Sequence, residues 1–154
     1  MSLTNRTGAT ASFLVGASST LPIGYRWLKD GNFLSDGGPV SGATEAELVL
    51  NPISRPDAGV YTVVITNAFG SVTSSPANLF VVESFFTRVE HLTNGAIQLS
   101  LSCDSNLTWR AQASTNLADW EPLTDIHDTN GVVRFIDMTM TNLPRRFYRA
   151  VWLP

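Results

Sequence analysis

The run Asp125-Ile126-His127-Asp128-Thr129-Asn130-Gly131 holds the densest set of metal-capable side chains in this chain of 154 residues. Asp125, Asp128 and Asn130 offer hard oxygen ligands on one loop, the donor type that calcium prefers. The spacing departs from the EF-hand loop and no bidentate Glu follows. A hairpin turn with solvated Asp side chains is therefore the expected outcome.

Other chemistry is less well supplied. A nucleophile needs a base and an acid brought together in space. Cys103 with His91 or His127 is the dyad on offer, and a reactive thiol needs a lowered pKa that no spacing reveals. The bland reading of Cys103 is a buried or edge thiol at a strand end. Glu45 and Glu47 fall on one side of a strand. Paired carboxylates serve glycoside hydrolysis only in a cleft, and like charges on an edge strand more often guard against aggregation. Trp109, Trp120, Tyr148 and Trp152 could form an aromatic platform for sugar rings. Alternation in their strands explains Trp109 and Tyr148 as core, which leaves Trp152 as the exposed one. The expectation is a chain that is not an enzyme, with no metal and no cofactor.

Composition narrows the partners. Hydrophobic residues reach 44%, enough for a core, while charged residues are only 15% against a usual ~25%. Lys29 is the single lysine and the formal net charge is −3. With no basic run beyond Arg145-Arg146, nucleic acid is not expected. No apolar run approaches the ~20 residues needed to span a membrane, so this segment is not expected to insert in one. Asn5-Arg6-Thr7 and Asn106-Leu107-Thr108 match the glycosylation acceptor pattern.

These side chains must be positioned by strands, because no helical period exceeds one turn. Residues 10–17 read as a strand with Phe13, Val15 and Ala17 inward. Residues 25–28, 47–50 and 59–67 follow, then 71–82, broken at Pro76 as an edge strand or bulge would be. Residues 32–46 are rich in Gly, Ser and Pro and read as a loop with short edge strands. Ile53 plugs the core. Further alternating runs lie at 86–91, 96–101, 107–113, 132–138 and 147–152, with Asn94-Gly95 and Asn130-Gly131 as hairpin signals. The expected organisation is two modules, residues 1–82 and 85–154.

In the stretch Asp57-Ala58-Gly59-Val60-Tyr61, three residues fall two apart, and Tyr61, Val63 and Ile65 continue on one face. This resembles the tyrosine corner that enters strand F of an immunoglobulin-type sandwich. Trp27 lies twelve residues after Val15, matching the order in that family, where the core Trp of strand C follows the strand B position. The two positions that carry cysteines in the family are Val15 and Val63 here. The first half of the chain thus resembles a cysteine-less intermediate-set immunoglobulin-like domain of bacterial secreted proteins. The resemblance implies an apolar Val15–Val63 pair beside Trp27 in place of a disulfide worth ~2–5 kcal/mol. It also implies a strand A that is truncated, as in a fragment of a longer protein. The second half, with Ser114-Thr115-Asn116-Leu117-Ala118-Asp119-Trp120, Phe135-Ile136-Asp137 and Arg146-Phe147-Tyr148-Arg149-Ala150, resembles small β modules that close large secreted bacterial proteins.

The expected fold is all-β: an immunoglobulin-like sandwich, then a second small sandwich. The fold-defining residues are Val15, Trp27, Asp57, Gly59, Tyr61 and Val63. Arg26, Leu28, Thr62 and Val64 alternate outward from Trp27 and Val63. With Trp152 they are the expected interaction surface, either for the second module or for another molecule. Recognition is expected on residues 32–44 and 118–130, with Trp120 plugging the space between sheets and no cavity of ~300 Å³ or more. The implied role is a non-catalytic structural, adhesion or interaction module of an exported or cell-surface protein, binding a protein or a surface glycan. The alternative is a carbohydrate-binding accessory module of a secreted enzyme.

Overall fold

The computed structural model describes residues 2–127, 131–139 and 145–154. Two compact units form, Met1–Val82 and Glu83–Pro154. Both are built from strands, and no helix among the described residues is long and apolar enough to cross a membrane.

The first unit contains β1 (Ser2–Arg6), β2 (Ala11–Leu14), β3 (Gly24–Lys29), β4 (Asn32–Phe33), β5 (Val40–Ser41), β6 (Glu47–Leu50), β7 (Gly59–Asn67), β8 (Gly70–Thr73) and β9 (Ala77–Val82). The large sheet runs β1-β9-β7-β3-β4, with β8 also paired to β7; the small sheet runs β2-β6-β5. β1 lies parallel to β9. A short strand of five residues thus precedes β2, on the opposite sheet from it. Its five residues alternate strictly, with only Leu3 and Asn5 partly buried, and the polar Asn5 on the inner side hides that period in the sequence.

Between the sheets lie Phe13, Trp27, Leu48, Leu50, Ile53, Tyr61, Val63 and Leu79, all nearly sealed from solvent. Burying each such side chain contributes about 1.5–3 kcal/mol. Phe13 stacks on Tyr61 at 4.8 Å and tilts against Trp27 at 6.2 Å. The Trp27 indole N–H donates to the Glu45 carbonyl at 2.9 Å. Val63 stands opposite Trp27 in register. Val15 comes one residue past the end of β2 and is half-buried against this core. Val15 and Val63 line one cavity of about 220 Å³ with Phe13, Trp27 and Tyr61. Ala17 corrects the expected alternation, since it is exposed. The last main-chain bond to the small sheet is from Val15 N–H to the Ala46 carbonyl, and beyond it Gly16 and Ala17 have left the ladder.

The corner into β7 is fixed by hydrogen bonds. Tyr61 O–H donates to the Asp57 carbonyl at 2.6 Å. The Asp57 carboxylate accepts from the Ser54 N–H and hydroxyl, both at 2.7 Å. Asp30 accepts from the Val60 N–H at 2.8 Å, and Lys29 beside it holds its carboxyl below the usual range. Gly59 has φ +154°, and a Cβ there would come within 2.6 Å of the Asp30 carboxylate.

The second unit contains β10 (Ser84–His91), β11 (Ile97–Cys103), β12 (Thr108–Ser114), β13 (Glu121–His127), β14 (Val132–Asp137) and β15 (Phe147–Leu153). Two three-stranded sheets form, β10-β11-β14 and β13-β12-β15. Leu99, Leu101, Trp109, Ala111 and Ala113 are sealed between them. β13 corrects the reading of residues 118–130 as a loop. Glu121, Pro122 and Asp125 look like loop residues, yet they suit an edge strand whose register shifts beside Pro122.

The corner yields two expected outcomes. Tyr61→Phe strands the Asp57 carbonyl and should lower stability by about 1–3 kcal/mol in urea unfolding. Gly59→Ala strains the backbone and displaces Asp30 from Val60, and should cost about as much. A Gly59→Ala chain as stable as the parent would remove Asp30 from this account.

Candidate interaction surface

The outer face of the large sheet gathers the sequence-predicted residues of the first unit. Leu28 stands opposite Thr62, and Arg26 opposite Val64. Leu28, Thr62 and Val64 are half-buried and Arg26 is exposed. Phe33 pairs with Leu28 from β4 and is 55% exposed. The Arg26 guanidinium lies 4.1 Å from the Phe33 ring centroid, a cation–π contact that covers part of the ring. Val60 and Phe80 continue the apolar stripe on the same face, both exposed. Phe33, Val60 and Phe80 were missed from the sequence. Phe33 lies in a Gly- and Ser-rich stretch, while Val60 and Phe80 could have been found by alternation against buried Tyr61 and Leu79.

Trp152 belongs to the second unit, stands opposite Trp109 in register and is half-buried on the inner face. The expected aromatic platform does not assemble. Trp109 is sealed in the core, and Tyr148 turns its hydroxyl to Asp137. Trp120 is not a plug between sheets. The Ser114 hydroxyl and Asn116 side chain accept four main-chain N–H bonds from residues 116–119, and this knot swings Trp120 outward. Its indole N–H donates to the Leu117 carbonyl, and the Arg149 guanidinium lies 4.2 Å over its ring.

The polar groups that could do chemistry are committed to structure. Asp125 is held by Arg110 through two bonds of 2.6 and 2.8 Å, and that pairing lowers its pKa. Asp128 and Asn130 lie outside the described residues. No group of three metal-capable side chains forms among the described residues. Cys103 is buried at the end of β11, while His91 and His127 are both exposed.

The strongest electrostatic feature is internal, and the sequence did not single it out. Asp137, at the end of β14, is 2% exposed. Its carboxylate accepts from the Thr139 N–H and hydroxyl and from the Tyr148 hydroxyl. Arg146, equally buried, pairs with it at 2.9 Å and also reaches Glu121. Burial alone would raise the Asp137 pKa; the Thr139, Tyr148 and Arg146 partners outweigh it and the net shift is downward. Burial and the bond to Asp137 push the Tyr148 hydroxyl up. The network spans both sheets of the unit. Its signal in the sequence was the pair of runs ending in Asp137 and beginning at Arg146.

The sandwich, the tyrosine corner and the buried Trp define an immunoglobulin-like domain. The Immunoglobulin I-set domain model matches residues 1–81, and the chain belongs to that family. Among solved structures, the chain is similar to the N-terminal four Ig domains of Dscam1 isoform 6.44, at 14% identity and TM-score 0.52, over 88% of this chain and 35% of that one. It is similar to the tandem Ig repeats of Dlar at 21% identity and TM-score 0.49, over 52% and 43%. The titin M3 domain matches at 29% identity and TM-score 0.45, over 51% and 84%. The chain spans less than half the length of the Dlar and Dscam1 structures. No curated protein matches.

Asp137 carries a pH prediction. Its folded pKa is depressed, so its stabilisation is complete above the ordinary carboxylate range and is lost as pH falls through the folded value. The second unit should melt at progressively lower temperature as pH drops below about 4. Asp137→Asn should flatten that dependence and cost about 3–5 kcal/mol at neutral pH by leaving Arg146 without its buried partner. Thermal melts of both chains across pH check this.

Proposed function

We propose that this chain is a non-catalytic interaction module of a larger exported or cell-surface bacterial protein, acting in adhesion or in protein assembly. The apolar stripe of Phe33, Leu28, Val64, Val60 and Phe80 carries this reading. It is a contiguous, partly exposed face on a rigid sheet, suited to another protein surface. The commitment of Asp125, Asp137 and Cys103 to structural roles supports a role without catalysis. The bacterial, exported setting rests on the cysteine-free strand pattern of the first unit and on the resemblance of the second to closing modules of secreted proteins. The Ig assemblies named in the Dscam1 and Dlar structures are consistent with a module that works in series with others.

A paired array of cell-surface proteins and glycans tests the proposal. Protein binding should fall at least about tenfold in a Leu28→Asp, Val64→Asp chain and be unchanged by Trp120→Ala. Glycan binding abolished by Trp120→Ala or Trp152→Ala would replace this reading with the carbohydrate-binding one.

A further inference from the structure

β7 is nine residues long and β2 only four. Where β2 ends at Leu14, the inner face of the large sheet continues without a facing sheet. Ile65 of β7 and Val72 of β8 stand opposite each other on that face. With Ile23, the Gly16–Ser19 segment (residues 16–19) and the turn at Asn67 and Phe69, they bound an open groove of about 530 Å³. It is a groove on the surface and not the deep interior cavity of ~300 Å³ or more that the filled cores were expected to lack. Neither stretch expected to carry recognition, residues 32–44 or 118–130, lines it. Val72 is 62% exposed and Phe69 84%.

The groove is flanked by an open strand edge. All four residues of β8 are exposed, and among the described residues β8 pairs only with β7. In an antiparallel pair every second residue turns its N–H and C=O away from its partner. Three edges of the second unit carry devices against strand addition: Pro122 and Asp125 on β13, Arg134 on β14, and Arg88 beside a register shift on β10. β8, Gly70-Ser71-Val72-Thr73, has no charge, proline or bulge.

We propose that this groove takes an extended, uncharged peptide segment of a partner protein, which adds to β8 as a further strand. Main-chain bonds along β8 would hold it, and its alternate apolar side chains would cover Ile23, Ile65 and Val72. The charge balance of the site selects the occupant. No residue lining the groove is charged, so a charged segment would lose hydration with nothing to replace it. A glycan fits less well, because the aromatic present is Phe69, at a turn tip and with no polar group.

The test selects a displayed library of random linear dodecapeptides on the whole chain. Enriched peptides should alternate apolar and hydroxyl residues and lack Asp, Glu, Lys, Arg and central Pro. The best of these, acetylated and amidated, should slow amide hydrogen exchange in β8. A central Pro in the peptide, or Val72→Lys in the chain, should weaken binding about tenfold or more. Val132→Lys in the second unit should leave it unchanged, as should the Leu28→Asp, Val64→Asp pair, which separates this site from the outer face. Matching melting curves verify the fold of Val72→Lys, and exchange in the unmutated chain locates the site independently. Failure to enrich, enrichment of charged peptides, protection away from β8, or groove shifts with cellohexaose in place of peptide would each overturn the proposal.

Discussion

The bond from the Tyr61 hydroxyl to the Asp57 carbonyl fixes where β7 begins, and β7 is the strand on which the first unit is assembled. β3, β8 and β9 all pair with it. The same residue carries Phe13 on its ring. One side chain therefore joins the corner to the core. Burial and the nearby Asp57 and Asp30 carboxylates hold its hydroxyl protonated well above the usual phenol range, so the donor is present at any physiological pH. The Ser54 and Asp30 bonds then satisfy polar groups that the sharp turn would otherwise leave without partners.

Much of this was legible because each level of the sequence agrees with the next. Alternation of Tyr61, Val63 and Ile65, the Gly at the positive-φ corner and the core Trp all point to one architecture. What failed did so for identifiable reasons. β13 begins Glu121-Pro122 and carries Asp125, a composition that reads as loop until Arg110 on the neighbouring strand supplies the counter-charge. Trp120 is bulky and apolar, so the core is its default place. The Ser114–Asn116 knot is a local main-chain device that no hydrophobic period reports. The outer stripe was half legible: β3 and β7 were placed from alternation, but Phe33 lies on a two-residue strand that only pairing with β3 creates.

The two units keep their polar groups differently. Among the described residues, the buried polar and charged side chains, Ser100, Ser114 and Asp137, all belong to the second. A core of two three-stranded sheets encloses less apolar volume, and Asp137, Arg146, Tyr148 and Thr139 form a directional tie between those sheets. Such a network specifies how the sheets meet and is costly if any member is lost. The first unit relies on stacked aromatic rings and on hydrogen bonds at its corner instead.

The parallel pairing of β1 with β9 has a consequence for self-association. β8 and β9 form one continuous edge interrupted near Pro76, and β1 caps the β9 half of it. The β8 half keeps four residues of bare main chain, and along the other half the edge passes outward to β1. Stacking of identical strands into a cross-β spine draws on segments of about six or seven residues. The N-terminal strand thus splits this margin into two short, offset pieces, the four residues of β8 and the five of β1, each below the length at which copies could template one another.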